Sequence, residues 1–229
     1  MNRRTAAAAL TALAILPLAA CSNAFTTTDE LSYQIDQSLS ALVIDARAGS
    51  IAIEVGYGPI TVTEQHRYSR SKPATAHQVD GHTLRLTESG CRDDGGHCDV
   101  SYRIRMPKAM SAQINAKAGT VQVDGLAGDL HVATLAGSVE GHALSSADVT
   151  VQTEAGETIL RFADAPKLVR ASTSLGAVEL RLPGSAAYAV DVQTTLGESS
   201  VDVDQNPASA HRIEVRSKVG AVKIGRLVP

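Results

Sequence analysis

Small apolar residues alternate with polar residues along most of this chain, and each alternating stretch ends at a glycine. The last six of these glycines are 18, 19, 20, 21 and 23 residues apart; the full set is Gly49, Gly119, Gly137, Gly156, Gly176, Gly197 and Gly220. Spacings of this size are typical of stacked supersecondary units. Because alternation with a period of two places one face of a strand in a core, the pattern predicts a repeat of short β-strands.

The residues one, three, five and seven positions before each glycine are predicted to face inward. Three positions before the glycines stand Ala46, Ala116, Thr134, Thr153, Thr173, Thr194 and Ser217. Immediately before them stand Ala48, Ala118, Ala136, Ala155, Leu175, Leu196 and Val219. Inward positions resume two and four residues after the glycine, so the alternation breaks there, and glycine tolerates the bend or bulge that this requires.

About 20 residues can hold two strands and two turns, which suits one coil of a β-solenoid. Equivalent strands would stack in parallel, ~4.8 Å apart, and the threonines would form a row that can hydrogen-bond across strands. The predicted fold is therefore an all-β parallel solenoid of two-strand coils with an inserted antiparallel hairpin region. A two-sheet β-sandwich is the alternative, although it would not require the same glycine corner in every unit.

The first residues have the features of a bacterial export signal. Residues 1–20 combine Arg3 and Arg4 with a short Ala/Leu/Ile stretch and end in Leu-Ala-Ala before Cys21. This ending resembles a lipobox, which implies that the Cys21 sulfur carries a diacylglyceryl group (a palmitate-type anchor); ordinary secretion with a chance cysteine is the alternative. We predict the lipidated cysteine and a tether over residues 21–38, and one solenoid-like domain over residues 39–229.

The charge balance argues against nucleic acid as a partner. The chain has 21 Lys and Arg against 24 Asp and Glu, a formal net charge of −3, and losing Arg3 and Arg4 with the signal brings it to about −5. A nucleic-acid-binding surface would need a basic stripe. The predicted partners are a membrane, through Cys21, and an envelope protein or a glycan.

Two further cysteines flank a glycine-rich turn inside residues 58–107, where the repeat is interrupted by strands predicted to pair antiparallel. In an exported protein, Cys91 and Cys98 are most simply a disulfide. A metal site is the alternative; it would use the two cysteines with His97 and one of the nearby acids Asp93, Asp94 and Asp99. Its spacing matches no common zinc motif.

Several segments resemble a known bacterial family. They are residues 102–107 (YRIRMP), 116–123 (AKAGTVQV), 125–132 (GLAGDLHV) and 134–139 (TLAGSV). A strand ending in proline, followed by units of glycine and alternating valines, is similar to the adhesin-type domains of unknown function, over about residues 39–225. The resemblance implies a β-solenoid-like envelope protein and carries over no catalytic residues.

Motifs for chemistry are few. The sequence has no Gly-x-Ser-x-Gly elbow, phosphate-binding loop or dinucleotide fingerprint, so we predict no catalytic residue, metal or cofactor. Asp191 and Glu214 are expected on neighbouring coils, with Arg170 beside Asp191. The expected function is a non-catalytic, lipid-anchored adhesin-like binding or scaffold module on the extracytoplasmic face of a bacterial membrane. The alternatives are an accessory protein of envelope-stress signalling and a polysaccharide-active β-helix enzyme.

Overall fold

The computed structural model describes residues 26–92 and 96–227, and in this part of the chain all regular structure is β. The first strands are β1 Thr27–Ile35, β2 Ala41–Ala48, β3 Ile51–Val55, β4 Ile60–Tyr68, β5 Ala74–Asp80, β6 Thr83–Gly90, β7 Cys98–Met106, β8 Ser111–Ala118, β9 Val121–Asp124 and β10 Leu130–Ala136. The remaining strands are β11 Val139–Leu144, β12 Asp148–Ala155, β13 Thr158–Phe162, β14 Leu168–Leu175, β15 Val178–Leu182, β16 Ala189–Leu196, β17 Ser199–Asp202, β18 Arg212–Val219 and β19 Val222–Arg226.

These strands form two mostly parallel sheets that face each other. The ten-stranded sheet has the order β1-β4-β7-β3-β9-β11-β13-β15-β19-β17, and the nine-stranded sheet has the order β16-β18-β14-β12-β10-β8-β2-β6-β5. Each coil contributes one strand to each sheet, and consecutive coils pair in register, as Val132 with Val151 and Val151 with Ala171 show. The predicted parallel solenoid is confirmed.

The repeated glycines form the corner between the two sheets. Gly156 has a φ of +149°, and a β-carbon added to it would overlap the carbonyl group of Gly137 on the neighbouring coil. Both the backbone conformation and the closeness of the next coil therefore require glycine. Six of the predicted corner glycines stack on one another in this way, and Gly49 at the end of the row stacks on Val100.

Aliphatic side chains between the two sheets form a single core. The inward positions predicted seven and five residues before the glycine are buried in the central coils, and so are those two and four residues after it. Leu130, Val151, Val169, Leu180 and Ile213 are examples, each with almost no exposed surface. Burial of such side chains contributes about 1.5–3 kcal/mol each, which makes the core the main source of stability.

The residues immediately before the glycines do not face inward, contrary to our prediction. Leu175, Val219 and Leu196 are 56%, 41% and 64% exposed. The ladder pairs Thr134 with Thr153 and then Ala136 with Ala155, omitting Leu135, so the irregularity begins two residues before the glycine. That shift turns the residue before the glycine outward, and it creates an exposed apolar row along the corner.

The predicted row of hydroxyl side chains exists, but its predicted hydrogen bonds do not. Thr134, Thr153, Thr173 and Ser217 lie side by side on β10, β12, β14 and β18, and all four are buried. Among the described residues, none of their hydroxyl oxygens has a hydrogen-bond partner. The row therefore contributes packing through methyl and methylene groups rather than a hydrogen-bonded ladder.

The order of the coils in space differs from their order in the chain. Strands β18 and β19 lie between the β14–β15 coil and the β16–β17 coil. Arg170 consequently lies beside Glu214, not beside Asp191 as we expected, and its Nε donates to Glu214 Oε2 at 3.0 Å. The last coil in sequence is thus an inner coil, and β16 and β17 form one end of the solenoid.

The interrupted segment, residues 58–107, closes the other end. Strands β4 and β5 pair antiparallel, as predicted, with β7 and β6 respectively, and β1 pairs antiparallel with β4. Strands β6 and β7 also pair in parallel with β2 and β3, so they form a coil of the stack as well as supporting the cap. We call β1, β4 and β5 the cap, and we call the β16–β17 end the open end.

Candidate functional site

A groove of about 580 Å³ crosses the outer face of the nine-stranded sheet, from β6 to β14. Its polar lining consists of Asp45, Arg47, Glu88, Asn115, Lys117, Thr134, Gln152, Thr153, Glu154, Ser172 and Ser174, with Ala46, Ala116, Ala133 and Leu135 between them. Asp45 is already engaged, since it accepts from Asn115 at 2.8 Å and from Arg85 at 3.1 Å. The lining offers many donors and acceptors of mixed charge, which suits hydrogen bonding better than nucleophilic chemistry.

Glu88 is the buried acid at one end of this groove. Its Oε2 accepts from the backbone N–H of Arg47 at 2.7 Å and of Ala48 at 3.4 Å, where the corner interrupts the ladder. Burial raises the pKa of Glu88 above its usual value, and the two backbone N–H groups oppose that rise. Glu88 therefore satisfies the backbone of the neighbouring coil, which is a structural role.

The predicted disulfide adjoins this acid. Cys91 and Cys98 are bonded, with their Cα atoms 6.0 Å apart, and they join the end of β6 to the start of β7. Within residues 26–92 and 96–227, no three His, Cys, Asp or Glu side chains group in a way that could hold a metal ion. Asp93 and Asp94, which belong to the alternative metal-site hypothesis, lie outside the described residues.

The densest cluster of titratable side chains lies inside the cap, around Glu64. Tyr33 Oη donates to Glu64 Oε1 at 2.7 Å, Thr75 Oγ1 donates to Oε2 at 2.6 Å, and His66 Nε2 lies 3.0 Å from Oε2. Burial alone would raise the pKa of Glu64, but the hydrogen bonds from Thr75, Tyr33 and His66 outweigh it and hold the pKa below its usual value. Glu64 is therefore a buried carboxylate that stays ionised.

The tyrosines around this carboxylate have raised pKa values. Burial, together with the hydrogen bond to Glu64, raises the pKa of Tyr33, and burial raises that of Tyr102. Tyr33 also stacks on His77, with ring centroids 4.3 Å apart, so it joins the edge strands β1 and β5 of the two sheets. The cluster seals the end of the core, and the groove across the nine-stranded sheet does not reach it.

The open end has no such cap. Among the described strands, β16 pairs only with β18 and β17 only with β19, so each keeps a free edge. Val190, Val192 and Val201 on these strands are only partly buried, whereas the equivalent Val149 and Val151 of an inner coil are fully buried. The two ends of the solenoid therefore present different surfaces: one is closed and polar inside, and the other is an exposed strand edge.

Sequence reasoning located some of these features and missed others. The Cys91–Cys98 pair was predicted, whereas Cys21 lies outside the described residues. Glu64 and His66 were missed as a buried pair. Their signal was available, since they continue the inward alternation that begins with Ile60 and Val62 on β4. His66 is buried beside Glu64, with its Nε2 3.0 Å from Glu64 Oε2.

A family model described as Toastrack DUF4097 matches residues 31–225 of the chain. The chain belongs to this family. The Toastrack match covers the coils and the cap from Leu31 in β1 to Gly225 in β19. Among curated proteins, none matches the chain. The described residues include no helix long and apolar enough to span a bilayer.

Two solved structures share the Toastrack fold at low sequence identity. One is a putative cell adhesion protein from Clostridium sporogenes ATCC 15579, with 15% identity, a TM-score of 0.54, and coverage of 88% of this chain and 100% of that one. The other is a putative adhesin from Bacteroides fragilis NCTC 9343, with 14% identity, a TM-score of 0.53, and coverage of 86% and 96%. At these identities the likeness shows the fold.

Proposed function

We propose that this chain is a non-catalytic binding or scaffold module, anchored by lipid at Cys21 to the extracytoplasmic face of a bacterial membrane. The observation that carries the binding role is the division of the molecule into a sealed cap and long exposed faces. The ionised Glu64 cluster lies inside the cap, while the groove lined by mixed polar groups faces solvent. The names of the two similar adhesion proteins support the same role.

The position of the cap relative to Cys21 supports an orientation on the membrane. Residues 22–26 separate Cys21 from Thr27 at the start of β1, so they can hold the cap within about 20 Å of the lipid anchor. In the described part of the chain the stack has eight coils, from the β6–β7 coil to the β16–β17 coil, and thus seven steps. At ~4.8 Å per step, the open end can stand roughly 35 Å farther from the bilayer than the cap.

Cell fractionation with metabolic labelling tests the anchor. The wild-type chain should incorporate an azide-tagged palmitate and sediment with membranes, because two acyl chains anchor a protein durably. Cys21→Ala should abolish both the label and the sedimentation. The double variant Cys91→Ser/Cys98→Ser is the matched control, since it removes two cysteines and should keep both. A labelled, membrane-bound Cys21→Ala chain would contradict the anchor.

Incubation with polysaccharides tests the non-catalytic role. The purified chain should leave a panel of bacterial glycans uncleaved, with and without calcium, because the groove combines mixed charges with side chains that already pair with each other. Retention of one of those glycans on the immobilised chain would support a binding role for the groove. Release of new reducing ends would contradict the proposal and favour the polysaccharide-active alternative.

A further inference from the structure

The edge strand β16 has the properties of a site for strand addition. It is eight residues long, Ala189–Leu196, and contains no proline or lysine. Along Ala189–Leu196 its free side meets no other described strand, although Tyr188, directly before β16, is bridged by Gln205. Edges of this length are normally shortened, bulged or covered, because they are templates for pairing with another chain.

The side chains of the open end also leave room for one more strand pair. Val190, Val192 and Val201 face inward but stay partly exposed, because no coil stacks on them. An added strand with apolar side chains on its inner face would complete the burial that every inner coil already has.

The charge around this edge selects the partner. Residues 183–211 include no lysine or arginine but contain Asp191, Glu198, Asp202 and Asp204. Asp204 pairs with Arg226 at 2.9 Å, and in the described part of the chain the other three acids make no ion pair or side-chain hydrogen bond. Asp191 lies on β16 itself and Asp202 at the same end of the other sheet, whereas the cations Arg212, Arg216 and Lys218 lie one strand farther in, on β18.

This charge disfavours a second copy of the chain as the occupant. Two open ends meeting would bring Asp191 and Asp202 of each copy together, and like charges placed opposite each other on neighbouring strands are destabilising. A head-to-tail contact would place the open end against β1 and β5, which carry the acids Glu30 and Asp80, while Asp29 on β1 is already paired with Lys72 at 3.3 Å. Both arrangements are repulsive, whereas a positively charged strand is attracted.

We propose that the free edge of β16 binds an extended segment of another protein in which apolar residues alternate with lysine or arginine. The segment continues the nine-stranded sheet through backbone hydrogen bonds, its apolar side chains cover Val190 and Val192, and its cations meet Asp191. The inference names the partner class of the binding module proposed above and rests on that role. It does not depend on the lipid anchor.

Fluorescence anisotropy tests this proposal with a labelled eight-residue peptide of alternating valine and lysine. The full chain, purified in neutral detergent micelles, should bind it, and binding should weaken as salt rises from about 50 to 500 mM because exposed charges are then screened. Asp191→Lys/Asp202→Lys should weaken binding at least about tenfold. Glu157→Lys/Asp164→Lys makes the same charge change on exposed residues of an inner coil, outside the groove, and should stay within about twofold.

Two further peptides separate strand addition from simple charge attraction. A peptide with glutamate in place of lysine should not bind, and a valine-lysine peptide methylated on alternate backbone nitrogens should lose binding because it cannot extend the sheet. Equal binding to both double variants, or equal binding of the methylated peptide, would overturn the proposal. So would self-association of the chain that Asp191→Lys/Asp202→Lys abolishes, because a second copy would then occupy the edge. The proposed anchor and binding role would still rest on the fractionation and glycan assays.

Discussion

Gly119 lies directly against the carbonyl group of Gly49, although 70 residues separate them in the chain, and a β-carbon on Gly119 would overlap that carbonyl. The same contact recurs between Gly137 and Gly119 and continues along the corner. At the corner, the backbone of one coil therefore leaves no room for a side chain on the next coil. This contact explains why the repeat keeps glycine while the strands vary.

Replacing a corner glycine should destabilise the protein strongly. Gly156→Ala combines a φ of +149° with overlap of the Gly137 carbonyl, and neither can relax without moving the backbone of the next coil. We expect a loss of at least about 3 kcal/mol in the free energy of unfolding by urea. Gly184→Ala is the control, since its β-carbon would lie 3.9 Å from Arg226 Cδ, and it should stay within about 1 kcal/mol of wild type. Equal losses would argue against the stacked corner.

Glu64 should make the free energy of unfolding depend on pH in the acidic range. Its lowered pKa in the folded state gives a stabilisation that is fully present above the pKa of the unfolded chain and is lost as pH falls through the folded value. Stability should therefore fall below about pH 4–5, whereas Glu64→Gln should show a flatter profile and lower stability at pH 7, by about 1–3 kcal/mol. Urea unfolding at several pH values measures both.

Glu88→Gln should change the pH dependence of stability in the opposite direction to Glu64→Gln. Because burial raises the pKa of Glu88, its contribution is present below the pKa of the unfolded chain and is lost as pH rises through the folded value. As pH rises from acidic to neutral, the stability of Glu88→Gln relative to wild type should therefore increase. The stability of Glu64→Gln relative to wild type should decrease over the same range. The same sign for the two variants would contradict the assigned environments.

The apolar row along the corner should contribute little to stability. Leu175→Ala and Leu196→Ala truncate side chains that are more than half exposed, so we expect changes below about 1 kcal/mol. Leu180→Ala truncates a fully buried side chain and should cost about 2–5 kcal/mol, because a cavity remains. Thermal and urea unfolding of the three variants distinguish the exposed row from the core. Losses at Leu175 and Leu196 as large as at Leu180 would restore the inward prediction.

The disulfide should stabilise the β6–β7 coil, on which the cap packs. Closing the eight-residue loop from Cys91 to Cys98 contributes about 2–3 kcal/mol by restricting the unfolded chain. Cys91→Ser/Cys98→Ser should unfold at correspondingly lower urea, and wild-type protein in reductant should match it. Identical midpoints for the oxidised wild type and the double variant would show that the bond adds no stability.

Much of this architecture is encoded locally and could be predicted. Glycine spacing and the alternation of residues such as Val149 and Val151 specify the coils, because each coil repeats the same inward pattern. The exposure of Leu175 was missed because a bulge two residues before the glycine leaves no mark in the hydrophobic pattern. The Glu64 cluster was missed because an inward polar residue has the same spacing as an inward valine, and only the partners on β1 and β5 show that it is satisfied.

The order of the coils was beyond sequence reasoning for a different reason. Val215 on β18 matches Ala171 on one side and Val192 on the other equally well, since every coil offers the same parallel ladder. Nothing local distinguishes a coil at the end of the stack from one inserted before it. The acidic composition of residues 183–211 is the one sequence feature that correlates with the open end.

The identity of the open edge depends on where the last coil lies, and cysteine cross-linking measures this directly. Ser172 and Arg216 are register neighbours, as are Gln193 and Arg216, whereas Ser172 and Gln193 are two strands, or ~9.6 Å, apart. A disulfide requires Cα atoms within about 7 Å. Mass spectrometry of oxidised protein should show a bridge in Ser172→Cys/Arg216→Cys and none in Ser172→Cys/Gln193→Cys. A bridge in the second variant alone would place the coils in chain order and remove β16 from the edge.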